Sequence, residues 1–304
     1  MQITQKYVLI VLSLFFASCV DLKREFEVEL PLVPKEFAIT SYINVGYDTL
    51  AFLQIEKLNE IDRPGEQTVA DIRFYKENEL IYEQKNCISE NALNKFDLRN
   101  LQEGKTYTLE INDPKGILKN CSASSFLYKK PEVGNITYKH NKIVSDFLDY
   151  SDKVIIGIKD DPDVKNIYYI AAKVINVHVQ YEYDEFHNVI DSTISYSEYS
   201  TYAEDEDKFY YNYVNDSKIS SDGYIYVNRI PNIWSDNIAD SVIIEYIVFS
   251  VSEEEAKYSE SIFSAANADN PFSEPTSTFT NFKNGNGIFS MRNATHGRVK
   301  VKVF

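Results

Sequence analysis

The segment FDLRNLQEGKTYTLEI, from Phe96 to Ile111, is the most specific local feature of this sequence. In its second half Tyr107, Leu109 and Ile111 alternate with Thr and Glu. A two-residue period is typical of a strand that buries one face. The segment therefore predicts a strand whose Tyr, Leu and Ile side chains point into a core.

The spacing Leu101-x-x-Gly104-x-x-Tyr107 resembles the tyrosine corner of immunoglobulin-like β-sandwiches. In those domains the hydroxyl of a Tyr at the start of a strand bonds the backbone a few residues upstream, and a core residue follows two positions later. Leu109 stands where an antibody domain has its second Cys. We therefore expect Tyr107 to determine the fold and not to belong to a functional site.

Strand-like segments surround this stretch at short spacing. They are predicted at about 37–44, 49–57, 69–76, 79–85, 106–112 and 118–127. A break follows near Lys129-Lys-Pro131-Glu-Val-Gly134, where a second β region begins. The predicted fold is mainly β, with two sandwich-like domains. The first, at residues 37–130, is immunoglobulin-like, and the second, at residues 131–304, is larger and has a long hairpin and one short helix.

The composition agrees with a β-rich fold and limits the class of partner. The chain of 304 residues has 23 Tyr and 18 Phe but one Trp and two Met, and aromatic residues suit half-buried pleated sheets. Its formal net charge is −15, so most of its surface would repel nucleic acid, and no nucleic-acid partner is expected. We attribute the acidity to the solubility of an exposed surface.

A long hairpin is predicted in the second region. Its first strand has an apolar face made of Ile175, Val177, Val179, Tyr181 and Tyr183. Residues 184–188 turn the chain into a second strand at 189–196. Because residues 181–226 are dense in Tyr and Phe, two interpretations stay open. The rings either pack a long β ribbon or form a surface that stacks on sugars or contacts a protein.

One helix is predicted, at residues 253–266. Ser252-Glu-Glu-Glu255 is a capping box, in which the Ser252 hydroxyl accepts from the Glu255 amide and the Glu255 side chain returns to the Ser252 amide. Ala256, Ile262 and Phe263 can then share one apolar face.

The first 36 residues predict a lipid anchor and a tether. Residues 7–16 form an apolar run that is too short for a spanning helix, which needs roughly 20 residues, but fits a signal peptide. Phe16-Ala-Ser-Cys19 follows and resembles the lipobox of bacterial lipoproteins. We expect residues 1–18 to be removed, Cys19 to carry the lipid and residues 19–36 to act as a tether. The alternative is a secretory signal with a Cys beside it by chance.

Acylation of Cys19 would leave Cys87 and Cys121 as an even pair in an oxidising compartment. A disulfide between these two cysteines is one interpretation. Two separately buried thiols are the other, because sequence alone cannot place the Cα atoms within disulfide reach.

No motif predicts catalysis, a cofactor or a resident metal. His178 and His187 flank the hairpin turn and could meet across it, but two imidazoles are too few ligands for a metal. Asp160, Asp161 and Asp163 could offer oxygens to Ca²⁺, yet the spacing of a calcium-binding loop is missing, and a turn explains them better. We interpret the acidic run at residues 204–207 as a solvated loop and not as a metal site.

The order of motifs along the chain resembles one family. The motifs are the lipobox at Cys19, the corner at Tyr107, Asp161-Pro162 ahead of Tyr168-Tyr169, Asn270-Pro-Phe-Ser-Glu-Pro275 and Asn284-Gly-x-Gly287-Ile-Phe289. Together they are similar to the domain-of-unknown-function 4249 (DUF4249) lipoprotein family of Bacteroidota, although Ser290 stands where that family commonly has Gly. The resemblance implies an outer-membrane lipoprotein without enzymatic activity, often encoded beside a TonB-dependent receptor.

These observations favour a non-catalytic binding or accessory module on the outer membrane, facing the periplasm or the cell surface. We expect it to work beside a TonB-dependent receptor in nutrient uptake, with a glycan or a peptide as ligand. A structural or adhesive envelope lipoprotein is the alternative. An extracytoplasmic hydrolase with a carboxylate pair is the least favoured class.

Overall fold

The computed structural model describes residues 37–46, 51–57, 69–88, 97–112, 118–139, 152–203, 212–215, 219–231, 239–266 and 278–302. Within these ranges the chain forms fourteen strands, one α-helix and a 3-10 turn at Leu98–Asn100. The strands are β1 (Phe37–Val45), β2 (Ala51–Lys57), β3 (Val69–Lys76), β4 (Glu79–Ile88), β5 (Lys105–Asn112), β6 (Cys121–Leu127), β7 (Glu132–Lys139), β8 (Lys153–Lys159), β9 (Ile167–Tyr183), β10 (Val189–Ala203), β11 (Tyr213–Asn215), β12 (Tyr224–Pro231), β13 (Ser241–Val251) and β14 (Asn286–Lys302). The helix α1 is Glu253–Ala266.

The larger sheet joins the first strand to the last. It has ten strands in the order β2-β1-β14-β13-β9-β10-β12-β8-β7, and β11 pairs with β9 beside this path. β1 lies parallel to β14, with Ala38 opposite Asn286 and Val45 opposite Asn293. Gly287 permits this pairing, because its φ is +123° and a Cβ at this position would lie 1.9 Å from the Ile39 carbonyl oxygen.

The smaller sheet, in the order β4-β3-β5-β6, packs over β1, β2 and the start of β14. The Phe74 ring stacks on Tyr107 with centroids 5.5 Å apart and meets the Phe289 ring edge-on at 5.9 Å. The Tyr107 hydroxyl accepts from the Gln102 amide at 2.7 Å and donates to the Gln102 carbonyl at 3.2 Å. The predicted structural role of Tyr107 is therefore confirmed.

The far end of the larger sheet folds back over its middle. β10 pairs with β12 at residues 201–203 and 229–231, and β12, β8 and β7 continue from there as an arm. Ile156 and Ile225 of the arm share a second core with Ile170 of β9 and Ile244 of β13. The side chains that β14 contributes to the two cores are separated by even numbers of positions, and such side chains lie on one face of a strand. The second core is therefore on the same face of the sheet as the first.

Helix α1 packs on the opposite face of the larger sheet. Its predicted bounds, residues 253–266, are those of the structure. The Ser252 hydroxyl accepts from the Glu255 amide at 3.2 Å, as expected of an N-cap. The Glu255 carboxylate, however, is engaged by side chains of β14 and β11.

The prediction of a mainly β fold is confirmed, since the described residues form two sheets and one short helix. The immunoglobulin-like topology of residues 37–130 stays a prediction. At the predicted boundary near residue 130 the chain crosses from β6 of the smaller sheet to β7 of the larger one. Residues on both sides of that point share a sheet through β1 and β14, and share a core through Phe74 and Phe289.

Candidate functional site

The predicted long hairpin is present and continues past the strand beside it. β9 and β10 pair from Lys173 opposite Ser200 to Tyr183 opposite Val189, whereas β13 begins beside Val177. Asp184 closes the turn, because its Oδ1 accepts from the Phe186 and Asn188 amides at 2.8 Å each. The end of the hairpin is therefore a two-stranded ribbon.

The apolar face of this ribbon is exposed. Paired residues of antiparallel strands share a face, so Ile194 lies beside Val179 and Tyr196 beside Val177. Seven large apolar side chains of the hairpin are between 52% and 76% exposed. We name this set the hairpin patch: Tyr181, Tyr183, Phe186, Val189, Ile190, Ile194 and Tyr196. Adjoining exposed apolar side chains of this kind mark interaction surfaces.

The surroundings of the hairpin patch are acidic. Glu182, Asp184, Glu185 and Asp191 lie in the hairpin, and residues 174–203 contain no Lys or Arg. Asp240 adds a carboxylate at the open edge of β9, where its Oδ2 accepts from the Val179 amide at 2.7 Å. Anionic bilayers attract basic segments, so this charge favours a protein partner with a basic rim over a lipid surface.

A depression of about 640 Å³ lies on the same face of the sheet, toward the base of the hairpin. Its polar wall alternates in charge: Lys173 Nζ lies 3.0 Å from Glu245 Oε2, and Arg298 Nε lies 3.4 Å from Glu245 Oε1. Glu198, outside the lining, places its Oε2 3.2 Å from Lys173 Nζ. These charges neutralise one another. Because such exposed pairs are worth at most about 1 kcal/mol each, we assign them a minor structural role.

A buried ion pair holds α1 on the sheet. Arg292 Nη2 lies 2.8 Å from Glu255 Oε1, and Arg292 Nε lies 3.0 Å from Glu255 Oε2. The Ser290 and Tyr213 hydroxyls also donate to this carboxylate. Burial raises the pKa of the nearby Tyr42 hydroxyl to about 12. Because each Glu255 oxygen already accepts two donors from the protein, the carboxylate is structural and leaves no lone-pair position for a substrate.

Arg229 is a second buried arginine, and it binds neutral groups. Its Nη1 donates to Asn212 Oδ1 at 2.6 Å, and its Nε and Nη2 donate to Thr201 Oγ1 and O at 3.2 and 2.9 Å. Burial lowers the pKa of the Arg229 guanidinium to about 10. These bonds cross the junction of β10 and β12, so Arg229 supports the point where the arm begins.

Cys87 and Cys121 are free, buried thiols. They lie on β4 and β6, the outer strands of the smaller sheet, with β3 and β5 between them. Adjacent strands lie about 4.8 Å apart, so roughly 14 Å separates the two backbones, twice the Cα distance that a disulfide can bridge. The structure thus has the two separate thiols. Burial raises the pKa of the Cys121 thiol to about 11.

The hairpin histidines do not meet. His178 pairs with Ser195, five residues before Tyr183, so about 17 Å of strand separates it from the turn that holds His187. Asp161 closes a turn, as predicted, since its Oδ1 accepts from the Asp163 amide at 3.2 Å. Among the residues that the structure describes, no group of three or more His, Cys, Asp or Glu side chains is arranged to hold a metal ion.

Several predicted features lie outside the described residues. They are the signal peptide at residues 1–18, the lipidation site Cys19, the tether at 19–36, the acidic run at 204–207 and the family motif at 270–275. Over the described ranges, no helix is long and apolar enough to span a membrane.

The sequence matches no protein-family model and no curated protein, and the fold matches no solved structure. The resemblance to the DUF4249 lipoproteins therefore stays a prediction.

Proposed function

We propose that the chain is a non-catalytic binding module of the bacterial envelope. In this proposal lipid on Cys19 anchors it in the outer membrane, and the hairpin patch docks on a TonB-dependent receptor during nutrient uptake. The exposure of the hairpin patch is the observation that carries the proposal.

The side chains of the hairpin patch suit a protein partner. Tyr181, Tyr183 and Tyr196 combine an apolar ring with a hydroxyl, which is typical of protein interfaces. Ile194 and Val189 add aliphatic area beside these rings. An isolated two-stranded ribbon is marginal in water, so a partner that covers its apolar face would also stabilise it. The acidic rim would steer the hairpin toward basic loops of that partner.

Three charged groups inside the fold have structural roles, which supports a binding role over catalysis. Glu255 and Arg292 satisfy each other, and Arg229 is bound by Thr201 and Asn212. Each of these groups has a structural partner in the fold. A catalytic acid or base would instead need to reach a substrate proton.

Site-specific photo-cross-linking in native cells tests the proposal. A benzophenone amino acid would replace Tyr196 in the hairpin patch. In a control strain it would replace Tyr226, which is 46% exposed on β12 and lies away from the hairpin. We expect position 196, and not 226, to form an adduct that mass spectrometry identifies as an outer-membrane β-barrel receptor.

Other adducts would contradict this function. A cross-link from position 196 to a second copy of the chain, or to an adhesin or cell-wall component, would favour the structural or adhesive alternative. Equal adducts from both positions would show that the hairpin has no special role. If deletion of the gene alters adhesion but does not change the uptake of any nutrient, the structural or adhesive alternative is again favoured.

A further inference from the structure

The outer side of β10 is left unpaired along most of its length in the described chain. On its inner side β10 pairs with β9 from Val189 to Ser200. On its outer side the described chain pairs with it only at residues 201–203, where β12 lies. Residues 191–196 are exposed on both faces of the ribbon. We name the outer side of residues 192–198 the hairpin edge.

The backbone groups that face the hairpin edge follow from the position of Asp240. The Val179 amide donates to Asp240 on the β13 side, so the Val179 backbone faces away from β10. Ile194 lies directly opposite Val179, and in an antiparallel pair its amide and carbonyl then also point away from β9. With a two-residue period, the backbone groups of Tyr196 and Glu198 point the same way. The described chain gives these three amides no acceptor.

Three other outer strands have features that discourage the addition of a further strand. β2 is short, with seven residues, β4 carries Lys85 and two register shifts, and β7 carries Lys139 and a register shift. Short length, lysines and bulges are the usual protection of sheet edges. β10 has fifteen residues without Lys, Arg or Pro, and its register shift lies at its start, between Val189 and Asp191. The hairpin edge is therefore suited to strand addition.

Charge selects the kind of strand that fits this edge. Glu182 and Asp191 lie directly opposite each other on the polar face of the hairpin, and both are exposed. Like charges in this position repel, and residues 174–203 contain no Lys or Arg to separate them. A basic side chain on an added strand would lie beside Asp191 and relieve this repulsion. A second copy of the chain would bring the same acids to the edge, so self-pairing is disfavoured.

We propose that the hairpin edge binds an extended basic segment of a partner protein as an added antiparallel strand, which is slightly more stable than a parallel one. The backbone of that segment bonds Ile194, Tyr196 and Glu198, and its side chains alternate between two faces. Apolar side chains lie beside Ile194 and Tyr196 and extend the hairpin patch, whereas Lys or Arg side chains lie beside Asp191. This mode of attachment rests on the proposed docking function, and it adds backbone contacts to those of the hairpin patch.

An eight-residue peptide that alternates Lys and Val tests the site on the purified full mature chain. We expect a Kd of about 100 µM or tighter by fluorescence anisotropy, and slower amide hydrogen exchange in residues 191–200. In the antiparallel arrangement the Val amides face β10 and the Lys amides face away. N-methylation of the Val amides should therefore weaken binding tenfold or more, and N-methylation of the Lys amides should change it less than twofold. A peptide with Glu in place of Lys should bind at least tenfold more weakly.

Matched variants of the protein locate the site. Ile194→Pro and Ile194→Ala both remove the Ile side chain, but only proline also removes the amide that faces the edge. Proline is tolerated where an edge amide faces solvent, so pairing with β9 should persist. We expect Ile194→Pro to bind the peptide at least tenfold more weakly than Ile194→Ala. Asp191→Lys should weaken binding tenfold or more, whereas Asp163→Lys, in the exposed turn after β8, should change it less than twofold.

Three results would overturn the proposal. One is the absence of binding by the Lys–Val peptide. Another is equal affinity of the two N-methylated peptides, which would show that charge alone attracts them. The third is equal affinity of the Pro and Ala variants at position 194. Since the peptide comparison uses the unchanged protein, the test stays valid even if Ile194→Pro fails to fold.

The proposed docking function can be separated from this inference. A receptor adduct from position 196 together with any of these three results would remove strand addition and leave the docking function standing. Peptide binding at the hairpin edge without such an adduct would remove the docking function alone.

Discussion

Arg292 is enclosed between Glu255 and Tyr42. Its guanidinium binds both oxygens of the Glu255 carboxylate, and its Cζ lies 3.8 Å from the centre of the Tyr42 ring. The Glu255 side chain is fully buried. One cation therefore connects α1, β14 and β1, on the face of the larger sheet away from both cores.

Arg292→Met should destabilise the fold by about 3–5 kcal/mol, because it leaves the Glu255 carboxylate buried without a cation. Urea unfolding measures this change. Arg298→Met is the matched control, since the Arg298 side chain is 59% exposed, and it should cost less than about 1 kcal/mol. Equal losses in the two variants would contradict this account. The double variant Glu255→Gln with Arg292→Met should recover part of the loss.

Gly287→Ala should disrupt the pairing of β1 with β14. The new Cβ would overlap the Ile39 backbone, and φ at this position is in a region that other residues avoid. We expect a loss of about 4 kcal/mol or more in chemical unfolding, or no folded protein. Gly104→Ala is the control, because Gly104 also has a positive φ of +73° but no atom lies within 4 Å of the added Cβ. A loss of only about 1–2 kcal/mol at both positions would show that the close approach is tolerated.

The Cys121 thiol should make stability fall in alkali. Below pH 9 both the folded and the unfolded chain keep this proton. Between pH 9 and about 11 the unfolded chain loses it and the folded chain does not, so unfolding is favoured by up to about 2 kcal/mol. Unfolding by urea at pH 8 and pH 10.5 measures the slope. Cys121→Ala should have a shallower slope than the parent, and equal slopes would contradict the prediction.

Cys19→Ser should abolish lipid attachment. The variant should fail to partition into Triton X-114 and should keep residues 1–18 or be released as a soluble chain, because serine offers no thiol for acylation. Mass spectrometry of the amino terminus provides the second measurement. Unchanged detergent partitioning, or a parent protein with an unmodified Cys19, would contradict the predicted anchor.

Local patterns in the sequence predicted local structure well. The Leu-x-x-Gly-x-x-Tyr spacing identified the Tyr107 bond to Gln102, which spans five residues. The capping-box pattern from Ser252 to Glu255 correctly predicted where the helix begins. The two-residue alternation gave the faces of β9. Each of these features depends on neighbours that are close in sequence, so a single stretch contains all the information.

Features that depend on distant residues were not predictable. Glu255 was interpreted as a capping residue, yet its carboxylate binds Arg292, thirty-seven positions later. Asp160 was interpreted as part of a turn, yet its Oδ1 accepts from the Tyr168 hydroxyl, eight positions later, at 2.6 Å. Alternation showed that the hairpin has an apolar face, but it could not show that this face is left uncovered.

The parallel pairing of β1 with β14 also has a consequence for biosynthesis. Phe37–Val45 can pair at once with Ala51–Lys57 on one side, but its other edge has no final neighbour until the ribosome has made Asn286–Lys302. Pairing between such distant segments is slow to form. For the exported lipoprotein that we propose, this connectivity would delay folding until the chain has been threaded through the membrane.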